Sequence, residues 1–158
     1  MNQTSTINQA KTREIISTKF IDPGFNYWFS NHEHIRSPFP PEIRQELKKQ
    51  TSAVFFDWLD GLKQCELSAL KDDEFAEMFE NILFNEAMKM VDDPDQKLTI
   101  AYPFMPRLGD KVNHNQHGRG EVVARKETAT KENKKFFEIT VLSQLTGQSW
   151  ETRFELPN

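Results

Sequence analysis

The chain has one cysteine, Cys65, in 158 residues, and a single thiol cannot build an intramolecular disulfide framework. It also has no long apolar run. The stretch Ala53-Val54-Phe55-Phe56 is four residues, against about 20 for a membrane-spanning helix. The first dozen residues are polar and lack the apolar core of a secretory leader, so none is expected and the cytoplasm is the default compartment. Apolar residues are few, at 37% with only 6 glycines beside them, below the roughly 45–50% of an ordinary globular chain. A phosphate loop, a dinucleotide fingerprint and a nucleophile elbow are all missing, which removes the usual sequence grounds for an enzyme. Aromatic bulk, by contrast, is plentiful. The 13 phenylalanines and 3 tryptophans make a compact core feasible, since each buried ring removes a large area from water.

Charge is unevenly divided. The formal net charge is −4, made of −6 over residues 1–106 and +2 over residues 107–158. An acidic first part and a mildly basic second part suggest two units with different partners. A protein that coats duplex DNA by charge alone would be far more basic.

Residues 1–19, rich in Asn, Gln, Thr, Ser and Lys, read as a mobile tail. In residues 20–41 the rings of Phe20, Phe25, Tyr27, Trp28, Phe29 and Phe39 alternate with Pro23, Pro38, Pro40 and Pro41. The prolines forbid a long helix, so this segment is expected to wrap irregularly on the helices behind it. The functional alternative is a partner-binding patch built on Tyr27, Trp28 and Phe29. A helix is predicted from Pro41, with Ile43, Leu47, Thr51, Val54, Phe55, Trp58, Leu59 and Leu62 at spacings of three and four, bent or ended by Gly61. A short connecting helix over 65–70 follows. A second long helix starts near Asp72, carries Phe75, Phe79, Ile82, Leu83 and Met90 on one face, and ends at Asp92-Asp93-Pro94-Asp95. Glu77 and Glu80 fall on its outer face and read as solvation. The helical unit is thus 20–95, with a linker over 96–106.

From Gly109 the period changes to two. Phe137, Ile139 and Val141 alternate with polar neighbours, as do Trp150, Thr152, Phe154 and Leu156, which points Phe137, Trp150 and Phe154 into a core. Gly147 suits the hairpin between these strands, and Val112 and Val122-Val123-Ala124 mark two more. Tyr102-Pro103-Phe104 is a candidate further edge. Such a set of short antiparallel strands over 107–158 closes most economically into a small barrel.

The string Leu108-Gly109-Asp110-Lys111-Val112-Asn113-His114-Asn115-Gln116-His117-Gly118-Arg119-Gly120-Glu121-Val122-Val123 has the form G-D-x-V-x-H-x-x-x-G-x-G-x-V. It resembles the opening of Tudor/KOW-type small β-barrels with an SH3-like fold, as found at the C-terminus of DNA-repair helicases and in RNA-polymerase-binding factors. The resemblance covers the C-terminal third only. It implies a barrel that binds RNA polymerase or nucleic acid, with His114 as a structural residue of the first turn.

Four histidines, His32, His34, His114 and His117, occur as H-x-H and H-x-x-H. Brought together they could hold zinc and support a small metal-dependent enzyme, but the pairs fall in different units and no carboxylate or thiolate spacing completes them. Neither a metal nor another cofactor is therefore expected. Cys65 reads as a semi-buried inert thiol. The hairpin 125–135 carries Arg125, Lys126, Lys131, Lys134 and Lys135; set beside Arg119 and His117, these could contact phosphates or an acidic protein surface. The alternative is a solvated edge blunted by lysines.

The expected architecture is α+β, an N-terminal helical unit followed by a C-terminal SH3-like antiparallel barrel. The expected function is a non-enzymatic cytoplasmic binding or regulatory protein. It would dock on a larger protein such as a nucleic-acid machine, including action as a stoichiometric inhibitor. Direct nucleic-acid binding through 119–135 is the second reading. No membrane partner is expected.

Overall fold

The computed structural model describes residues 12–157 and is α+β, helical through the N-terminal two-thirds with a four-stranded antiparallel sheet at the C-terminus. The chain divides between Ala101 and Tyr102 into two compact units. Among the described residues no helix is long and apolar enough to cross a membrane.

Residues 12–16 are helical, and a π turn over Ser17–Ile21 carries the chain into α1 (Asp22–Phe29). Asp22 N–H donates to Ser17 O, so the backbone widens just before Pro23, which has no N–H to offer. Two expectations change here. The tail over 1–19 is helical from residue 12, its earlier part lying outside the described residues. The aromatic segment begins as a helix, because the proline falls in the first turn of α1, where a missing donor costs least.

A 3-10 turn over Pro41–Ile43 leads into α2 (Arg44–Asp60), followed by α3 (Gln64–Ala69), α4 (Asp72–Met90) and α5 (Pro94–Ala101). Local chemistry sets these ends. Gly61 N–H donates to Asp57 O and Trp58 O at 3.2 Å, closing α2. Glu66 and Glu74 reach back to the backbone N–H groups of Lys63 and Lys71, at 2.7 and 2.8 Å, and cap α3 and α4. Pro94 stops α4 as expected but also opens α5, so residues 96–101 of the expected linker are helix and Ile100 is fully buried.

Phe79 on α4 is the hub of the helical core. Phe25 of α1 meets it edge-on at 5.1 Å and Phe55 of α2 at 5.8 Å, with Leu47 and Leu83 wholly buried around them. The segment after α1 is held by one side chain. The Arg44 guanidinium donates to Phe39 O through Nε and Nη2, at 3.1 and 3.0 Å, and to Phe29 O through Nη1 at 3.0 Å.

In the second unit, β1 (Lys111–His114), β2 (Gly118–Ala129), β3 (Lys135–Ser143) and β4 (Ser149–Glu155) pair in sequence order, each antiparallel to the next. A register shift between Val122 and Ala124 places a bulge at Val123, and the sheet curls into a half-barrel. Val122, Phe137, Ile139, Val141 and Leu156 form its core. Residues 102–110 are not an edge strand but lace onto β2. Gly109 N–H donates to Val122 O and Val122 N–H to Asp110 O, both at 2.9 Å, while the Tyr102 ring lies 5.7 Å from Phe137. Trp150 is half-buried and Phe154 is 39% exposed, so only Phe137 of the three expected core rings is fully enclosed. Both miss full burial because β4 is an edge strand.

Candidate functional site

The turns that join β1 to β2 and β3 to β4 lie at the same end of the sheet and are tied together. Ser143, 3% exposed, donates through Oγ to His117 O at 3.1 Å and accepts from Leu145 N–H and Thr146 N–H. Gln144 N–H donates to Arg119 O at 3.0 Å. These bonds hold a ring cluster in place. The His117 imidazole lies on the Trp150 indole at 4.9 Å with 17° between planes, and His114 tilts against both, at 4.8 Å from His117 and 5.7 Å from Trp150. His114 Nδ1 accepts from Gln116 N–H at 3.1 Å. Arg119 is exposed beside this cluster in sequence, and Leu145, 85% exposed, projects from the neighbouring turn.

Two glycines make the arrangement possible. Gly118 takes φ +70° to turn the chain. Gly120 leaves space for the indole, since a Cβ there would stand 2.6 Å from Trp150 Cη2 and 2.5 Å from Val141 Cγ1. The sequence pointed to His117 and Arg119 as contact residues, but to His114 as a structural turn residue and Trp150 as a core ring, and it did not single out Leu145. The signal was the pair of glycines, which marks a place where something bulky crosses the strand.

The basic hairpin does not assemble as expected. Arg119 opens β2 and Lys131 lies beyond its far end, and ten residues of strand at about 3.3 Å each separate Arg119 from Ala129 by on the order of 30 Å. Three of the five hairpin cations are also engaged. Arg125 Nη1 donates to Pro106 O at 2.9 Å, Lys126 pairs with Glu138 at 3.2 Å and Lys135 with Glu127 at 3.6 Å. Lys131 and Lys134 are exposed on the turn. Cross-strand register puts Glu138 directly opposite Lys126 and Glu127 diagonal to Lys135, which linear charge counting does not reveal.

The aromatic patch of the helical unit is likewise reduced. Trp28 is 7% exposed, packs edge-on against Phe84 at 4.9 Å and donates from Nε1 to Glu80 Oε1 at 3.2 Å. That bond also gives Glu80 a role beyond solvation. Phe29 is half-buried, which leaves Tyr27, 44% exposed and 4.1 Å from the His32 ring, as the accessible member. Cys65 is exposed rather than semi-buried, since α3 presents it to solvent.

His32 and His34 belong to the helical unit and His114 and His117 to the sheet unit. Among the described residues no three His, Cys, Asp or Glu side chains come together as metal ligands. Burial, then the hydrogen bond to Glu127 Oε2 at 2.5 Å and that carboxylate's charge, push the Tyr102 hydroxyl up to about 12. Comparison with family models, with curated proteins and with solved structures finds no match to this chain.

Proposed function

We propose that this is a non-enzymatic binding and regulatory protein of the cytoplasm, which docks on a larger protein through the turn end of its sheet unit. The observation that carries this reading is the stack of His117 on Trp150, held by the Ser143 hydroxyl, beside a turn whose Leu145 is exposed and next in the chain to exposed Arg119. Indole, guanidinium and apolar groups on a pre-ordered backbone are what strong protein contacts use, because little side-chain freedom is lost on binding. The exposed Cys65 thiol suits a reducing compartment. The G-D-x-V string supports an SH3-like barrel relationship for the unit, and the −6 on the first 106 residues suits an inhibitor that presents an acidic face to a nucleic-acid enzyme. Direct nucleic-acid binding ranks second, since Lys126 and Lys135 are already paired with carboxylates.

The test uses the full chain and a variant carrying Arg119→Glu with Leu145→Ser, both exposed positions. Affinity capture from nuclease-treated lysate of the native host should retain one protein stoichiometrically on the unaltered chain and lose it on the variant. Equal retention by both, or loss of the partner on nuclease treatment, would overturn the reading.

A further inference from the structure

β4 is one of the two outer strands of the sheet, and among the described residues no strand pairs with its far edge. The direction of its free backbone groups follows from the ladder with β3. Ser143 N–H donates to Gln148 O and Leu156 N–H to Lys135 O, so the intervening hydrogen-bonded pairs are Val141 with Trp150, Ile139 with Thr152 and Phe137 with Phe154. The even positions of β4 therefore face β3. The N–H and C=O groups of Ser149, Glu151, Arg153 and Glu155 face the open edge, which is a template for a further strand.

We propose that a second copy of this chain occupies that edge, β4 against β4, antiparallel and centred on Thr152. In that register the strand is self-complementary. Glu151 stands opposite the copy's Arg153 at both ends of the centre, and on the other face Trp150 stands opposite the copy's Phe154, covering a ring that is 39% exposed in the single chain. The two Thr152 side chains meet at a non-hydrogen-bonded position, where opposed side chains come closest.

Alternative registers are opposed by charge. Odd residues must stay opposite odd ones for the bonds to form, so the nearest slips move the pairing by two. One slip sets Glu151 against Glu151, and the other sets Arg153 against Arg153 and Glu151 against Glu155. Like charges directly opposite are destabilising. The proposed register also continues an existing row on the outer face. Lys126 pairs with Glu138 at 3.2 Å, Glu138 stands opposite Arg153, and the Arg153 guanidinium lies 4.7 Å over the Phe136 ring. The copy's Glu151 is the next charge of alternating sign. Trp150 belongs to both surfaces, but Glu151 and Arg153, on which the test below acts, lie outside the docking surface described above, so the two proposals can fail separately.

Sedimentation velocity on the full chain over a range of micromolar concentrations tests the proposal. The unaltered chain should show a monomer–dimer equilibrium, and Arg153→Glu should raise its dissociation constant by about tenfold or more. The double variant Glu151→Arg with Arg153→Glu should recover part of the lost affinity, since the swap recreates both opposed pairs between copies while leaving a carboxylate opposite Glu138 within each chain. Arg153→Pro should abolish the dimer while leaving the circular dichroism spectrum intact, because the lost N–H points away from β3. A chain that stays monomeric at every concentration, with its edge closed by its own residues or kept for a different protein, overturns the proposal. So does a dimer that survives Arg153→Glu undiminished, a result that stands even if the proline variant fails to fold.

Discussion

Thr51 is fully buried on α2, and its hydroxyl has no hydrogen-bond partner among the described residues. A buried unpaired hydroxyl costs free energy that an equally shaped methyl group does not. Thr51→Val should therefore raise stability by about 1 kcal/mol, read as a higher urea midpoint at constant slope. A lower midpoint would mean that the hydroxyl has a partner after all. Gly118 and Gly120 separate two reasons for a glycine. Gly118→Ala should cost about 1 kcal/mol through its positive φ, with the Trp150 environment unchanged. Gly120→Ala should cost about 1–3 kcal/mol by overpacking and should also shift Trp150 emission, because its Cβ collides with the indole. Equal spectra for the two variants would sink that distinction.

Tyr102 gives a pH dependence with a definite sign. Its folded-state value, about 12, lies above the ordinary 10, so the native state holds the phenol proton more tightly than the unfolded chain does. That contribution to stability is complete below pH 10 and is lost as pH rises toward 12. The chain has 2 tyrosines, so an ultraviolet titration of phenolate should show a late component assignable to Tyr102. Glu127→Gln should move that component down, and an unmoved component would exclude Glu127 as a cause.

At the scale of elements, the segment between α1 and α2 depends on Arg44. Its three bonds to Phe29 O and Phe39 O join the end of α1 to the start of the next turn, and its guanidinium lies 5.7 Å from the Phe29 ring centroid. Arg44→Met keeps the aliphatic stem and removes the donors. The expected loss is about 2 kcal/mol, with faster amide hydrogen exchange over residues 31–39 than over α2. Exchange that stays slow there would show the buried Phe39 ring to be sufficient anchorage.

At the scale of the whole molecule, the division between Ala101 and Tyr102 predicts that residues 102–158 fold alone. Expressed separately, they should give a β-type circular dichroism spectrum and a cooperative melt, because the core of Val122, Phe137, Ile139, Val141 and Leu156 and the covering segment 102–110 all lie within them. A disordered spectrum would show that the sheet depends on the helical unit.

The period of three and four in residues 43–62 and 75–90, the acidic first turn of α4, the stop at Pro94 and the alternation from Lys135 onward each depend on residues within a few positions of one another. Sequence by itself therefore determined the limits of α2 and α4, the hairpin at Gly147 and the change from helix to strand near Gly109. Four matters were decided only by tertiary structure. These were that Trp28 turns inward to Glu80, that residues 12–21 continue as helix through a π turn, that Lys126 and Lys135 meet Glu138 and Glu127, and that Trp150 stacks under His117. All depend on which element lies alongside, and the last two also on a sheet register set by a bulge at Val123 and by the absence of a side chain at Gly120. Local propensity ranks conformations of a segment. Burial and charge pairing belong to surfaces brought together from as many as 52 residues apart, as for Trp28 and Glu80, so they exist only once the chain has folded.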